Sequence, residues 1–356
     1  MTEQATQFTP AVYEESSQVQ RKREALGELG AHAFKEPWWL RGRHPQSAWS
    51  PFFRKTGYVF DRLERWETPD GDFLRLHFVD GAPNKPVLLL LHGLEGSVRS
   101  NYIPGLAKEV TPHGWTAAAM EYRSCGGEMN RAKRLYHSGD TGDLAFVVDE
   151  LGQRYRGRPV YIAGVSLGGN ITAKWLGEVG EAAPDYVRAA AAICPPFNLS
   201  RGGPYIDRLL GGVYTRWFMR SLVPKALAKE RQFPGTLDVE RVRVCRSFRE
   251  FDTHVTAALH GFRDAEDYWA QCGCGQFLPD VRRPLLLLAS ANDPFNPPGT
   301  LPREIAGSSP WLHPIFVDRG GHVGFVYGET PWRTRHWAEE QTGRFFRQYA
   351  RLLGDA

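Results

Sequence analysis

Short apolar runs recur along this chain, and helix-like segments lie between several of them. The runs are Val87–Leu91, Thr116–Glu121, Val160–Gly164, Val187–Ile193, Leu285–Ala289 and Pro314–Val317, and Phe73–Val79 alternates apolar and polar residues after a turn signal. Continuous apolar runs are typical of parallel strands that are buried on both faces. The helix-like segments are Tyr102–Val110, Thr141–Tyr155 and Gly169–Gly180. The sequence therefore predicts an α/β fold with a mostly parallel central sheet flanked by helices.

The 356 residues divide into regions of different character. Residues 1–33 are charged and have too little apolar surface for a core, so we expect a loosely attached N-terminal arm. Residues 195–279 contain many rings but no core strand, and a structureless loop of that length would be anomalous. We therefore expect a helical cap at 195–279, inserted into a core made of 34–194 and 280–356. The aromatic stretch Phe34–Arg54 is expected to pack on other residues, because so many exposed rings would form an adhesive patch.

Composition and charge exclude several classes of protein. A chain that is 42% hydrophobic and 24% charged is not disordered. The net charge of +4 comes from scattered basic residues, so no nucleic-acid partner is expected. Five cysteines, an odd number, argue against a disulfide framework.

The sequence also bears on membrane association and on cellular location. The longest apolar runs are far below the roughly 20 residues of a membrane span, although peripheral lipid contact stays open. No signal peptide is legible in the first residues, which predicts a cytoplasmic protein. The oligomeric state stays open.

The strongest functional signal is a strand that runs into Gly164-Val-Ser166-Leu-Gly168 and then directly into a helix-like sequence. This pattern in a strand–turn–helix context is typical of a nucleophile elbow. Glycines are needed beside the serine because larger side chains would collide with the strand and the helix. The turn exposes the Ser166 hydroxyl at the positive end of the helix, so we predict Ser166 as a catalytic nucleophile.

A serine hydroxyl needs a base, and in folds of this kind the acid and then the histidine follow the serine in the chain. Asp293 follows the apolar run Leu285–Ala289, and His322 lies on a glycine-rich loop after the next run. We predict Asp293 and His322 as the other catalytic residues, with Asp293 fixing the tautomer of His322. Asp318 is the weaker acid candidate, because it stands at a different strand end.

Acyl transfer also needs N–H donors directed at the developing oxyanion. His92-Gly-Leu-Glu-Gly96 follows the apolar run Val87–Leu91. We predict that the backbone N–H groups of Leu94 and Leu167 form the oxyanion hole. His92 is interpreted as a brace for this loop rather than as a base.

These segments resemble the YheT-type branch of the α/β-hydrolases, which includes bacterial YheT proteins, plant EMB-eight-like proteins, yeast medium-chain ethyl-ester synthase/esterases and animal α/β-hydrolase-domain lipases. The matching text is Phe34–Arg54, HGLEGSVRSNYIPGLA, EYRSCGGEMNR, YHSGDTGDL, GVSLGGN, FREFDTHVTAALHGFRDAEDYW, ANDPFNPP and GGHVGF. It covers about residues 34 to 350, and the family's triad falls on Ser166, Asp293 and His322. Two departures are Ser124-Cys-Gly126, where the family usually reads Gly-Cys-Ser, and Ser47, where it usually has threonine. We expect neither to touch the chemistry.

The motifs and the resemblance together imply an α/β-hydrolase fold and a serine hydrolase that cleaves carboxylic esters through an acyl-enzyme on Ser166. Short- to medium-chain acyl esters are the substrates that the resemblance implies. An acyltransferase or thioesterase that uses the same acyl-enzyme stays open. The intact triad argues against a non-catalytic binding protein on this scaffold.

The other reactive side chains are interpreted as structural. Cys272 and Cys274 have no second Cys/His pair at zinc spacing, and we expect neither a metal nor a cofactor. Asp140 and Asp143 are expected to cap a helix. Arg123 is expected to form a buried ion pair.

Overall fold

The computed structural model describes residues 10–30 and 34–355, and its centre is an eight-stranded sheet. The strands are β1 (Arg62–Glu67), β2 (Phe73–Val79), β3 (Val87–Leu91), β4 (Thr116–Glu121), β5 (Val160–Val165), β6 (Val187–Ile193), β7 (Leu285–Ser290) and β8 (Leu312–Val317). Their order across the sheet is β1-β2-β4-β3-β5-β6-β7-β8. Strands β3 to β8 are parallel to one another, and β2 pairs antiparallel with β1 and β4. A small hairpin joins β9 (Val326–Tyr327) to β10 (Arg335–His336).

Helices cover both faces of this sheet. They are α1 (Pro10–Gly30), α2 (Arg43–Phe53), α3 (Tyr102–Val110), α4 (Thr141–Arg154), α5 (Leu167–Val179), α6 (Leu199–Arg208), α7 (Val213–Gln232), α8 (Val239–Val244), α9 (Phe248–Phe251), α10 (Ala257–His260), α11 (Ala265–Cys272), α12 (Arg303–Ser308) and α13 (Trp337–Leu353). A π-helical turn at Asp252–Thr256 joins α9 to α10.

Strand β3 shows why the central strands are apolar throughout. All five of its residues are buried. Leu89 and Leu91 belong to the core cluster that includes α4 and α5, whereas Leu88 and Leu90 belong to the cluster that includes α3 and α13. Both faces of the strand are therefore removed from water, as its continuous leucines predicted.

The predicted strands and helices of the sheet layer are confirmed within two residues at their ends. Strand β1 was missed because it is an edge strand in which only Trp66 is buried, so its sequence lacks an apolar run. The fold class, a mostly parallel sheet flanked by helices, is confirmed.

Between β6 and β7 the structure places helices α6 to α11 and no strand. Their side chains form two apolar clusters of their own, one around Leu222 and Phe251 and one around Tyr268 and Trp269. The division of the chain into an arm, a core and a cap at 195–279 remains our proposal, and "cap" denotes residues 195–279 below.

The prediction of a loosely attached N-terminal arm is wrong for residues 10–30. Ala25 and Leu29 of α1 are buried in the cluster that includes α13. The Lys22 ammonium donates to the carbonyls of Ala306 and Ser309 at 3.0 and 2.6 Å. A few apolar residues on one helical face were enough to attach the helix. Residues 1–9 and 31–33 of the predicted arm lie outside the described residues.

The aromatic stretch after α1 packs only in part. The Trp39 and Trp49 rings lie 4.9 Å apart, and Trp49 contacts Phe53. Phe52 and Phe53 are nevertheless 62% and 65% exposed. The expectation that all these rings would be covered is therefore wrong. Among the helices of the described residues, none is long and apolar enough to cross a membrane.

His313 links the sheet to α13 and gives the fold a dependence on pH. Its Nδ1 lies 2.9 Å from the Trp311 carbonyl oxygen, and Nε2 pairs with the Tyr349 hydroxyl. Burial lowers the pKa of His313 from 6.5 to about 3. Because the pKa is lower in the folded state, its contribution to stability is complete above pH 6.5 and is lost as the pH falls toward 3.

We predict that His313→Gln reduces the slope of the unfolding free energy against pH, below the ordinary histidine pKa, by about 1 kcal/mol per pH unit. Urea unfolding at a series of pH values measures this slope. The same change at the exposed His113 is the control and should have a much smaller effect. An unchanged slope in His313→Gln would contradict the titration of this group on unfolding.

Candidate active site

Ser166 lies at the turn between β5 and α5, in a backbone conformation that is strained for a residue with a side chain. Its φ is 55° and its ψ is −117°. A Cβ at Gly164 would overlap the Gly168 carbonyl, and a Cβ at Gly168 would overlap the Leu91 carbonyl. The glycines of the motif therefore let β5, α5 and the end of β3 approach closely around Ser166.

The structure brings Ser166, Asp293 and His322 together. His322 Nδ1 lies 2.9 and 3.1 Å from the two Asp293 carboxylate oxygens, and Nε2 lies 2.9 Å from Ser166 Oγ. A carboxylate can only accept, so Nδ1 carries the proton and Nε2 is left to accept from the serine hydroxyl. The Phe295 amide also donates to Asp293 at 2.7 Å, and the Phe295 ring lies 4.3 Å from the imidazole. The three groups form a continuous hydrogen-bonded chain.

The loop that carries His322 is held by parts of the chain far from it in sequence. The His322 amide donates to Ser47 Oγ at 2.8 Å, and the Gly321 amide donates to Asn292 Oδ1 at 3.0 Å. Gln46 accepts from the Val326 amide at 2.8 Å and donates to its carbonyl at 3.0 Å. Ser47 therefore contacts the backbone of the histidine loop, and the threonine usual in the family would supply the same hydroxyl.

Leu94 and Leu167 line the same cavity as Ser166. Leu167 is the first residue of α5, where an amide has no partner within the helix. Within residues 10–30 and 34–355, neither the Leu94 nor the Leu167 amide donates to a protein acceptor. Both amides are thus available for an oxygen of a bound molecule, and their role as an oxyanion hole remains a prediction.

Two tyrosines hold the loop on either side of Leu94. The Gly93 amide donates to the Tyr102 hydroxyl at 2.9 Å, and the Glu95 amide donates to the Tyr136 hydroxyl at 2.8 Å. Of these three consecutive amides, only that of Leu94 is left without a protein acceptor among the described residues. Sequence reasoning missed both tyrosines, because neither lies within the loop motif.

An ion pair connects this loop to the cap. The Lys225 ammonium of α7 contacts the Glu95 carboxylate, which also accepts from the Tyr136 hydroxyl at 2.8 Å. Both side chains of the pair are buried to about nine-tenths. Lys225 carried no local signal, because only the packed structure brings α7 to the loop.

Asp318 and His92, which the sequence did not favour as catalytic residues, occupy positions that suit structural roles. Asp318 is exposed, and the His322 ring hydrogen-bonds to Asp293 and Ser166 instead. His92 Nδ1 lies 2.7 Å from the Gly93 carbonyl oxygen, and Nε2 accepts from the Tyr122 amide at 3.3 Å. Burial lowers the pKa of His92 to about 4. A neutral imidazole whose two nitrogens both hydrogen-bond to backbone groups is suited to holding the loop in place and not to accepting a proton in catalysis.

The ion pair expected for Arg123 is confirmed, but the caps expected for Asp140 and Asp143 are wrong. The buried Arg123 guanidinium donates to Asp143 at 2.7 and 2.8 Å and to Asp72 at 2.6 Å. Asp140 stands at the N-terminus of α4 but makes no capping hydrogen bond, and its carboxylate pairs with Arg134. Asp143 instead balances the buried Arg123, and Asp140 pairs with the partly exposed Arg134.

The cysteines offer little to a metal ion. All five are unpaired, and Cys272 and Cys274 are buried. Among the described residues, one group brings potential ligand atoms within 4.8 Å, namely Cys194, Asp293 and His322. Burial and the charge of Asp293 raise the pKa of the Cys194 thiol well above its usual value, so it stays protonated. A protonated thiol is a poor ligand, and His322 Nδ1 already carries its proton toward Asp293.

A cavity of about 760 Å³ opens over Ser166. Side chains of the cap form much of its wall, namely Leu199, Ile206, Phe218, Leu222, Phe248, Phe251, Val255 and Leu259. The wall is not uniformly apolar, since His137 and His260 also line it with their rings 4.5 Å apart. Burial lowers the pKa of His260 to about 4 and that of His137 well below 6.5, so this part of the wall is polar but uncharged.

Comparison with known proteins identifies the family of this chain. The alpha/beta hydrolase fold family matches residues 86–329. The Escherichia coli protein YheT is 34% identical over 303 residues, which cover 84% of this chain and 88% of YheT. The mouse phospholipase ABHD3 is 28% identical over 325 residues, 89% of this chain and 77% of that protein. A solved esterase of Pyrococcus furiosus shares the fold, with a TM-score of 0.54 at 16% identity over 89% of this chain and 98% of its own.

The chain therefore belongs to the α/β-hydrolase fold family. Within that family it belongs to the YheT-type branch.

The contact of Ser47 with the histidine loop predicts a difference between two substitutions. Ser47→Ala removes the acceptor for the His322 amide, whereas Ser47→Thr keeps a hydroxyl there. We expect the labelling rate of Ser166 by a fluorophosphonate to fall about fivefold in Ser47→Ala, the effect of one hydrogen bond of about 1 kcal/mol. Mass spectrometry gives the labelled residue and its rate. Equal rates for the alanine and threonine variants would contradict the positioning role.

Proposed function

We propose that this protein is a serine hydrolase that cleaves carboxylic esters through an acyl-enzyme on Ser166. The observation that carries the proposal is the chain from Asp293 through His322 to Ser166, with both links at 2.9 Å. The mouse relative is a phospholipase, which supports an ester as the bond that is cleaved. A small-molecule acyl ester is the substrate class.

In the first half of the reaction, Ser166 Oγ attacks the ester carbonyl carbon while its proton passes to His322 Nε2. The carbonyl oxygen becomes an oxyanion and accepts hydrogen bonds from the Leu94 and Leu167 amides. Asp293 stabilises the imidazolium that forms. The C–O bond to the alcohol then breaks, and the leaving alkoxide takes the proton from Nε2.

In the second half, a water molecule takes the place of the alcohol. His322 Nε2 accepts a proton from this water as the oxygen attacks the acyl carbon. The tetrahedral intermediate collapses, the bond to Ser166 Oγ breaks, and Oγ regains its proton from Nε2. The acid leaves and the enzyme returns to its starting state.

The cavity supports an apolar acyl group as the specificity element. Its cap side chains remove methylenes from water, which stabilises an acyl chain by about 0.8 kcal/mol for each methylene buried. A charged acyl group would lose its hydration without a partner, because the nearest cation in the wall, Lys225, is already paired with Glu95. Short- to medium-chain esters are therefore the proposed substrates.

The triad assignment predicts the effects of single substitutions. Ser166→Ala should keep the fold and lower kcat for p-nitrophenyl butyrate by about three orders of magnitude or more. Asp293→Asn should be severe because it leaves His322 in the wrong tautomer. Asp318→Asn is the matched control and should keep near-full activity. Loss of activity in the control with retention in Asp293→Asn would show that the acid is wrongly assigned.

The apolar cavity predicts a trend with acyl chain length. Across p-nitrophenyl esters from acetate upward, kcat/KM should rise about threefold to fourfold per carbon until the cavity is full. A monoester of a dicarboxylic acid of matched length is the control and should react poorly because of its charge. A flat profile, or one that falls steadily from acetate, would contradict binding of the acyl chain by the cap.

A further inference from the structure

Several apolar residues of the cavity wall are also exposed to solvent. Phe52, Leu210, Val213 and Trp217 line the cavity and are 62%, 54%, 51% and 53% exposed. A side chain that borders the cavity and is more than half exposed must stand at its opening. Pro51 and Phe53 extend this exposed group along α2. We call the six residues the mouth surface: Pro51, Phe52, Phe53, Leu210, Val213 and Trp217.

The mouth surface is continuous across two elements that are held together. The Phe52 and Trp217 rings lie 5.8 Å apart, edge to face. Behind them, His44 Nδ1 of α2 lies 2.9 Å from the Tyr214 hydroxyl of α7, and their rings stack. The apolar residues of α2 and of the cap therefore form one rim and not two separate loops.

One exposed apolar residue of the rim, Leu210, has a strained backbone conformation. Leu210 has a φ of 50°, a conformation that a residue with a Cβ rarely adopts. It lies in the short connection Leu209–Gly212 between α6 and α7, where Gly211 and Gly212 also have positive φ. The turn between α6 and α7 therefore holds Leu210 at the rim in a conformation that is energetically unfavourable for a residue with a Cβ.

Exposed cations close in sequence to the mouth surface have no acidic partners in the part of the chain that the structure describes, and the Arg220 guanidinium lies 5.5 Å from the centre of the Trp217 ring. Lys55, Arg208, Arg216 and Arg220 are exposed. Among the described residues, no carboxylate lies within 4.0 Å of any of them. From Leu199 to Gln232 the chain has seven basic and two acidic residues. The two carboxylates are engaged elsewhere, since Asp207 accepts from Thr215 and the Phe248 amide, and Glu230 accepts from backbone amides.

We propose that the mouth surface docks on an anionic phospholipid bilayer. Aromatic and aliphatic side chains of this kind enter the boundary between headgroups and acyl chains, and flanking arginines and lysines contact the phosphates. In that position the opening of the cavity faces the hydrocarbon of the bilayer. An acyl ester then passes from the membrane to Ser166 without crossing water. The docking itself needs no reaction at Ser166, so it can be tested apart from the proposed hydrolysis.

Co-sedimentation of the Ser166→Ala protein with vesicles tests the proposal without lipid hydrolysis. The vesicles are phosphatidylcholine alone or phosphatidylcholine with phosphatidylglycerol. We expect about tenfold stronger partition to the vesicles that contain phosphatidylglycerol, and a loss of this preference as salt screens the charges. Trp217→Ser together with Phe52→Ser should lower partition about tenfold. Leu63→Thr, at an exposed leucine of the edge strand β1 outside the cavity wall, is the matched control and should bind like the parent.

A second double variant tests the contribution of charge to vesicle binding without changing the cavity wall. Arg216 and Arg220 do not line the cavity. Arg216→Gln with Arg220→Gln should therefore weaken partition to anionic vesicles while hydrolysis of a water-soluble ester by the otherwise unchanged enzyme stays at the parent rate. Partition equal in all variants, or equal to both kinds of vesicle, would overturn the proposal. So would sedimentation velocity that shows a dimer dissociated by Trp217→Ser, because a second copy would then cover the mouth surface. Vesicle binding without any esterase activity would leave the docking surface standing and refute the proposed function.

Discussion

The site depends on the contact between the start of α5 and the end of β3. Gly168 lies so close to the carbonyl of Leu91 that no side chain could stand between them. Gly93, in the loop after β3, also lies close to Ser166, since a Cβ there would be 3.3 Å from the serine Cβ. This proximity brings the first amide of α5 and the loop of Leu94 close to Ser166. The strained turn at Ser166 is tolerated because the strands and helix around it are buried on every side.

Around that contact, the site is held by hydrogen bonds whose partners lie on separate elements. The Tyr102 and Tyr136 hydroxyls accept hydrogen bonds from the amides on either side of Leu94, and the Ser47 hydroxyl accepts one from the amide of His322. None of these hydroxyls touches Ser166. Their effect is to fix which backbone groups are engaged and which are left for a bound molecule. This is the kind of preorganisation that electrostatic stabilisation of a transition state requires.

Much of the fold, and the placement of the three residues proposed as a triad, could be predicted from the sequence. Apolar runs report burial on both faces, and parallel strands bring their C-terminal ends to one edge of the sheet, so Ser166, Asp293 and His322 could be placed together. Strand β1 could not be found, because an edge strand that buries only Trp66 carries no such run.

Contacts between residues that are distant in sequence could not be predicted either. A local pattern indicates that a side chain is buried but not what it meets. Ser47 and His322 stand 275 positions apart in the sequence, and no local pattern signals their contact. Likewise, the acidic residues at the start of α4 looked like caps, and only the packed structure shows their arginine partners.

The stacking of His44 on Tyr214 has a consequence for how such proteins can be recombined. Helix α2 contacts the cap through this pair and the histidine loop through Ser47. A chimera that received residues 195–279 from a relative but kept its own α2 would combine surfaces that had not been matched to each other. The mismatch would be passed through α2 to the backbone of His322. The unit of exchange is therefore the cap together with α2, although His44 and Tyr214 stand 170 positions apart in the sequence.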